Sequence, residues 1–118
     1  MRQTIFTLVL IIIITILLAA IVYGSKGNTS RDLVFYYGNT CPHCADVEEW
    51  MKKNNIEKKI KIVKKEVYEN KVNAMELEKK AKSCGLATDS IGVPFLYTPE
   101  GECLLGTPDI VNYLRDTL

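Results

Sequence analysis

Cys41-Pro42-His43-Cys44 is the stretch of this chain whose residue types and spacing carry chemistry most directly. Two cysteines three positions apart on a first helical turn close a small disulfide ring with little rearrangement, so the pair can cycle between dithiol and disulfide. Placed at a helix N-terminus, the first sulfur faces free backbone N–H groups and the positive end of the macrodipole, which favour its thiolate. Pro42 removes a donor and stiffens the turn, and His43 puts positive charge beside Cys41 when protonated. Asp46, Glu48 and Glu49 act in the opposite sense. A thiolate at Cys41 would attack a substrate disulfide, and Cys44 would resolve the mixed disulfide. Two other readings use the same residues. Zinc would need a second close pair, which Cys84 and Cys103 do not form. An inert structural Cys41–Cys44 bridge would gain little from closing so short a loop.

The elements around the motif can be read from their patterns. Leu33 to Tyr37 is a short aromatic and β-branched run, the form of a buried central strand, and Gly38-Asn39 breaks it. A helix is expected from about Cys41, with Pro42 in its first turn, Val47, Trp50 and Met51 on its inner face, and Lys52 and Lys53 at its end. Ile60 and Ile62 alternate with lysines toward Val67 as a second strand. A second helix is expected over 70–83, its stripe running Ala74, Leu77, Ala81, Cys84 and Gly85 ending it. Val93 to Tyr97, a turn at 99–101 and Glu102 to Leu105 predict a hairpin. Thr107-Pro108-Asp109 then starts a last helix, with a capping hydroxyl and inner residues Ile110, Val111 and Leu114. The expected order is β-α-β-α-β-β-α, an α/β domain over 31–118.

This arrangement resembles the thioredoxin superfamily, and the resemblance spans the whole domain. Leu33 to Cys44 looks like the family's active-site strand and helix, and Ile91-Gly92-Val93-Pro94-Phe95 looks like its loop with a cis-proline facing the site. The resemblance implies a cis Pro94 and a Val93 backbone that pairs with an extended substrate. The length and the closing Gly106-Thr107-Pro108-Asp109 resemble the glutaredoxin type, whereas Pro42-His43 resembles the DsbA-type oxidants. The family's buried acid six residues before the first Cys is Phe35 here, so no carboxylate is assigned to Cys44. Only Gly106 stands for the Gly-Gly pair of glutaredoxins, and Asn39-Thr40 precede Cys41, a departure from a glutathione site; no cofactor beyond the cysteine pair is assigned. The implied function is thiol–disulfide exchange by Cys41, Cys44, His43 and Pro42, with Val93 and Pro94 docking cysteine-containing proteins and a redox partner recycling the pair.

Ahead of the domain, Ile5 to Val22 is 18 residues with only Thr7 and Thr15 polar. As a helix it covers about 27 Å, the thickness of a bilayer's hydrocarbon core, and Tyr23 stands at the interface. An uncleaved anchor over 1–23 is expected rather than a cleaved signal, because the run is long and no Ala-x-Ala site follows. Residues 24–30 read as a flexible linker, and the short N-terminal tail favours an extracytoplasmic domain. A chain of 118 residues with 15 Lys and Arg against 14 Asp and Glu carries no basic field for nucleic acid. Trp50 is expected in the core. Cys84 is expected as a buried thiol, and a Cys84–Cys103 bridge as out of reach, at opposite ends of the sheet. The lysines between 52 and 65 are expected on a solvated strand edge. A non-catalytic metal- or client-binding module and a cytoplasm-facing reductase stand as the alternatives.

Overall fold

The computed structural model describes residues 1–24 and 32–118, without the side chains of residues 21–24 and Ser90. The linker expected over 24–30 therefore falls outside the described residues from position 25, as do Arg31 and the Tyr23 side chain. Helix α1 spans Arg2–Gly24 and exposes apolar side chains all round. Its stretch Arg2–Ala20 is the one helix, among the described residues, long and apolar enough to cross a membrane.

The remainder is mixed α/β: β1 (Leu33–Tyr37), α2 (Pro42–Lys53), α3 (Ile56–Lys59), β2 (Ile62–Glu66), α4 (Lys71–Ser83), a 3-10 turn (Thr88–Ser90), β3 (Phe95–Tyr97), β4 (Cys103–Leu105) and α5 (Thr107–Asp116). The four strands form one sheet in the order β2-β1-β3-β4. β1 is parallel to β2, with Leu33 opposite Ile62, and antiparallel to β3, with Val34 opposite Tyr97. Alternate β1 side chains point to opposite faces. Leu33 and Phe35 pack with Val47, Met51, Ile56, Ile110 and Leu114, whereas Val34 and Tyr36 pack with Leu77, Ala81 and Phe95. Both faces of β1 are covered, which is why its sequence is apolar without alternation.

The element order departs from the expected β-α-β-α-β-β-α by the inserted α3 and the 3-10 turn. Asn55 adopts a left-handed conformation, φ 53°, and stops α2. The chain then rewinds for four residues and buries Ile56 completely. Ile60 caps that turn, so β2 begins only at Ile62. β3 likewise begins two residues later than expected, because Pro94 has no N–H for the ladder; the Val93–Pro94 bond is cis. Thr107 lies inside α5 and supplies no cap.

The second correction concerns Cys84 and Cys103. They are bridged, with Cα atoms 6.2 Å apart, and Cys84 is half-buried at the end of α4 rather than in the core. The opposite-ends expectation failed on strand direction. Because β3 is antiparallel to β1, the β3–β4 turn lies at the end of the sheet where β1 starts. Helix α4 follows β2, parallel to β1, and returns to that same end. Cys103 pairs with Tyr97 on β3, as expected, and so meets the last turn of α4. Trp50 is half-buried against the first cluster.

Candidate active site

Cys41 occupies the N-cap of α2 in an extended conformation, with Pro42 at the first helical position. This fixes the motif: the chain leaves β1, turns through Gly38 to Thr40, and enters the helix at Pro42. The turn is held by the Cys41 N–H donating to the Gly38 carbonyl at 3.1 Å. Cys41 and Cys44 form a disulfide, with Cα atoms 5.3 Å apart. The Cys44 N–H donates to Cys41 Sγ at 3.2 Å, the bond an N-cap side chain makes to an otherwise unpartnered amide. Cys41 is 8% exposed and Cys44 is 0% exposed, so an incoming sulfur can reach only Cys41.

Cys41 Sγ lies 3.7 Å from the Val93 carbonyl oxygen, which brings together two segments 52 residues apart in sequence. The sheet ladders of β3 begin at Phe95, leaving the Val93 backbone outside them. A groove of about 410 Å³ opens beside the bridge, lined by His43, Asp46, Val93, Pro94, Gly106, Thr107 and Pro108. Five of the six expected site residues, Cys41, His43, Cys44, Val93 and Pro94, thus converge at the end of the sheet where β1 finishes. Pro42 is exposed and holds the helix start. His43 Nδ1 is 3.7 Å from Asp46 Oδ2, both side chains being largely exposed. Phe35, six residues before Cys41, is fully buried among apolar side chains.

Three residues support the site through bonds that no local pattern in the sequence announces. Thr107 Oγ1 donates to the His43 carbonyl at 3.1 Å, tying the start of α5 to the first turn of α2. The Gly106 N–H donates to the Pro94 carbonyl at 3.0 Å, with φ 84° at Gly106, a conformation that glycine adopts freely. Thr107, expected as a helix cap, instead binds the His43 carbonyl, and nothing in the sequence relates position 107 to position 43. Glu66 accepts from the backbone N–H groups of Tyr68, Glu69, Asn70 and Asn39 at 2.7, 3.0, 3.2 and 3.4 Å. Desolvation pushes its carboxyl upward, but those backbone donors prevail and hold it below the usual range. Asn39 Nδ2 also donates to Glu69 at 2.8 Å, so the turn before Cys41 is fastened to the end of β2 from two sides.

Deeper in the sheet, Tyr36 donates its hydroxyl to Glu76 at 2.8 Å, and Lys65 donates to the other oxygen of that carboxylate at 2.6 Å. Burial, together with the bond to Glu76, moves the Tyr36 phenol well above its ordinary value, so it stays a neutral donor. All four cysteines are in bridges, and among the described residues no group of three or more His, Cys, Asp and Glu gathers as a metal site. Comparison with protein-family models and with curated proteins finds no match.

Proposed function

We propose that this protein is a membrane-anchored thiol–disulfide oxidoreductase of thioredoxin-like type, exchanging disulfides with proteins through Cys41 and Cys44. The observation that carries the reading is the asymmetry of the bridge. Cys41 is the reachable sulfur, it caps a helix, and a peptide carbonyl 52 residues away stands beside it. In the oxidising direction a substrate thiolate attacks Cys41 Sγ, and the Cys41–Cys44 bond breaks. Cys44 leaves as a thiolate and takes a proton. A second substrate thiolate then attacks the substrate sulfur of the mixed disulfide, and Cys41 leaves as a thiolate. That leaving group receives the Cys44 N–H and the helix N-terminus, which lower its basicity. The reverse sequence reduces a substrate disulfide, and the direction follows from the potential of the pair against its compartment.

The meeting of the Cys-x-x-Cys turn with the Val93–Pro94 loop supports the thioredoxin-like reading. Val93, free of the sheet ladders, would offer its backbone to an extended substrate, with the groove by His43 and Pro94 taking an adjacent side chain. The partly exposed Cys84–Cys103 bridge supports placing the domain in a thiol-oxidising compartment outside the cytoplasm. The test is oxidation of a dithiol peptide by the full chain in detergent micelles. One peptide disulfide per chain should form at a rate that Cys41→Ser returns to background and Cys84→Ser/Cys103→Ser preserves. A full chain no faster than buffer would overturn the proposal.

A further inference from the structure

β2 is an edge strand, yet its lysines are already engaged. Lys64 lies between Glu57 at 2.6 Å and Glu48 at 3.3 Å, and Lys65 bonds Glu76. Lys61, just before the strand, bonds Asp32 at 2.7 Å. Within this stretch Lys52, Lys53, Lys58 and Lys59 are exposed and, among the described residues, have no ion pair. They lie on α2 and α3, not on the strand.

These four lysines share one end of the molecule. The segment carrying them feeds the start of β2, where Ile62 pairs with Leu33, and Ile56 at its middle is buried with Leu33. Leu33 is where β1 receives the chain from the apolar helix. Seven residues, 25–31, make that connection, and fully extended they reach at most about 25 Å. Of the acids at this end, Asp32 is paired with Lys61 and Glu57 with Lys64, Asp116 follows Arg115 in sequence without an ion pair to it among the described residues, and Glu48 and Glu49 lie one turn before Lys52 and Lys53. Glu100 and Glu102 sit on the β3–β4 turn, across the sheet from β2. The opposite end, around Cys41, carries Asp46, Glu66, Glu69 and Asp109, with Lys71 opposing them. A domain with a net charge of −1 over 31–118 is therefore polar in charge, basic toward its anchor and acidic toward its cysteines.

We propose that Lys52, Lys53, Lys58 and Lys59 dock the domain onto the anionic phospholipid headgroups of the bilayer its own N-terminal helix crosses. The field of an anionic surface decays within about 8–10 Å, and the short connection keeps the lysines close enough to enter that layer. Helix α2, 12 residues long, rises about 18 Å from its lysines to Cys41. Docking by the basic end would therefore hold the cysteine pair away from the lipid, facing incoming chains. The inference uses the anchor and the charges alone and is independent of the redox reading.

The test is lysine acetylation of the full chain in nanodiscs of phosphatidylcholine, with and without phosphatidylglycerol, read residue by residue by mass spectrometry. Relative to Lys71, the reactivity of Lys52, Lys53, Lys58 and Lys59 should fall at least three-fold in the anionic discs and recover in high salt. Lys61, at the same end, should also lose reactivity in the anionic discs, and replacing the four lysines with glutamine should abolish that loss, with the variant's fold checked by its intact disulfides. Equal ratios in the two lipids would overturn the proposal, as would a chain that does not enter the discs.

Discussion

Cys41 and Cys44 are alike in chemistry and differ in surroundings, and the difference assigns their roles in the proposed exchange. An N-cap position gives Cys41 the Cys44 N–H and a path to solvent, whereas Cys44 is closed off one turn further along α2. Phe35 is as fully buried as Cys44, and among the described residues no Asp or Glu is buried, so in the proposed exchange the Cys44 proton would pass to solvent or substrate. Glu66 acts at this scale by fixing the backbone that leads into Cys41. Its folded state binds a proton less readily than the unfolded chain does. The stabilisation is therefore complete above the ordinary carboxylate value of 4.5 and is lost as pH falls through the lower folded value. Glu66→Gln should lower the melting temperature at neutral pH, and the gap from the parent chain should narrow as pH drops below that range. Thermal unfolding of both proteins from pH 7 to pH 3 checks this; a constant gap would contradict it.

The elements carry the second bridge, which joins the end of α4 to β4 across 19 positions of sequence. Closing a loop of that size contributes about 2–4 kcal/mol by limiting the unfolded chain. Cys84→Ala/Cys103→Ala should therefore unfold at distinctly lower denaturant concentration by about that free energy, while exchange through Cys41 persists. A variant of unchanged stability would show that packing alone holds α4 to the hairpin. The same elements show how far the sequence could be read. β1 was legible because an unbroken run from Leu33 to Tyr37 is what a strand covered on both faces requires. The motif at the start of α2 was legible because Pro42 and the cysteine spacing are local signals. The Cys84–Cys103 bridge was not legible, because it depends on β3 running against β1, which no local pattern near either cysteine records. Helix α3 was hidden for a related reason: Asn55 in a left-handed turn and one buried Ile56 leave too short a pattern to detect. The Thr107 bond arises only when α5 meets α2, a purely tertiary event, whereas the Gly106 bond to Pro94 extends the pairing of β3 with β4 by one position.

At the scale of the whole molecule, an apolar helix, a connection of seven residues and a charge-polar domain set where the chemistry would take place. The apolar fraction of 47% averages two unlike parts, a segment suited to lipid and a domain close to neutral. Cys41 and Val93 stand at the end of the sheet away from Leu33, where β1 receives the chain from the apolar helix; under the proposed anchoring a partner would meet the cysteine pair before the membrane. The most direct measurement of the central claim uses the full chain with Cys44→Ser, expressed in cells and extracted with acid quenching. Mass spectrometry should find partner proteins joined by mixed disulfides through Cys41, absent when Cys41→Ser is added. Failure to trap any partner, or partners joined through Cys84 or Cys103 instead, would contradict the account.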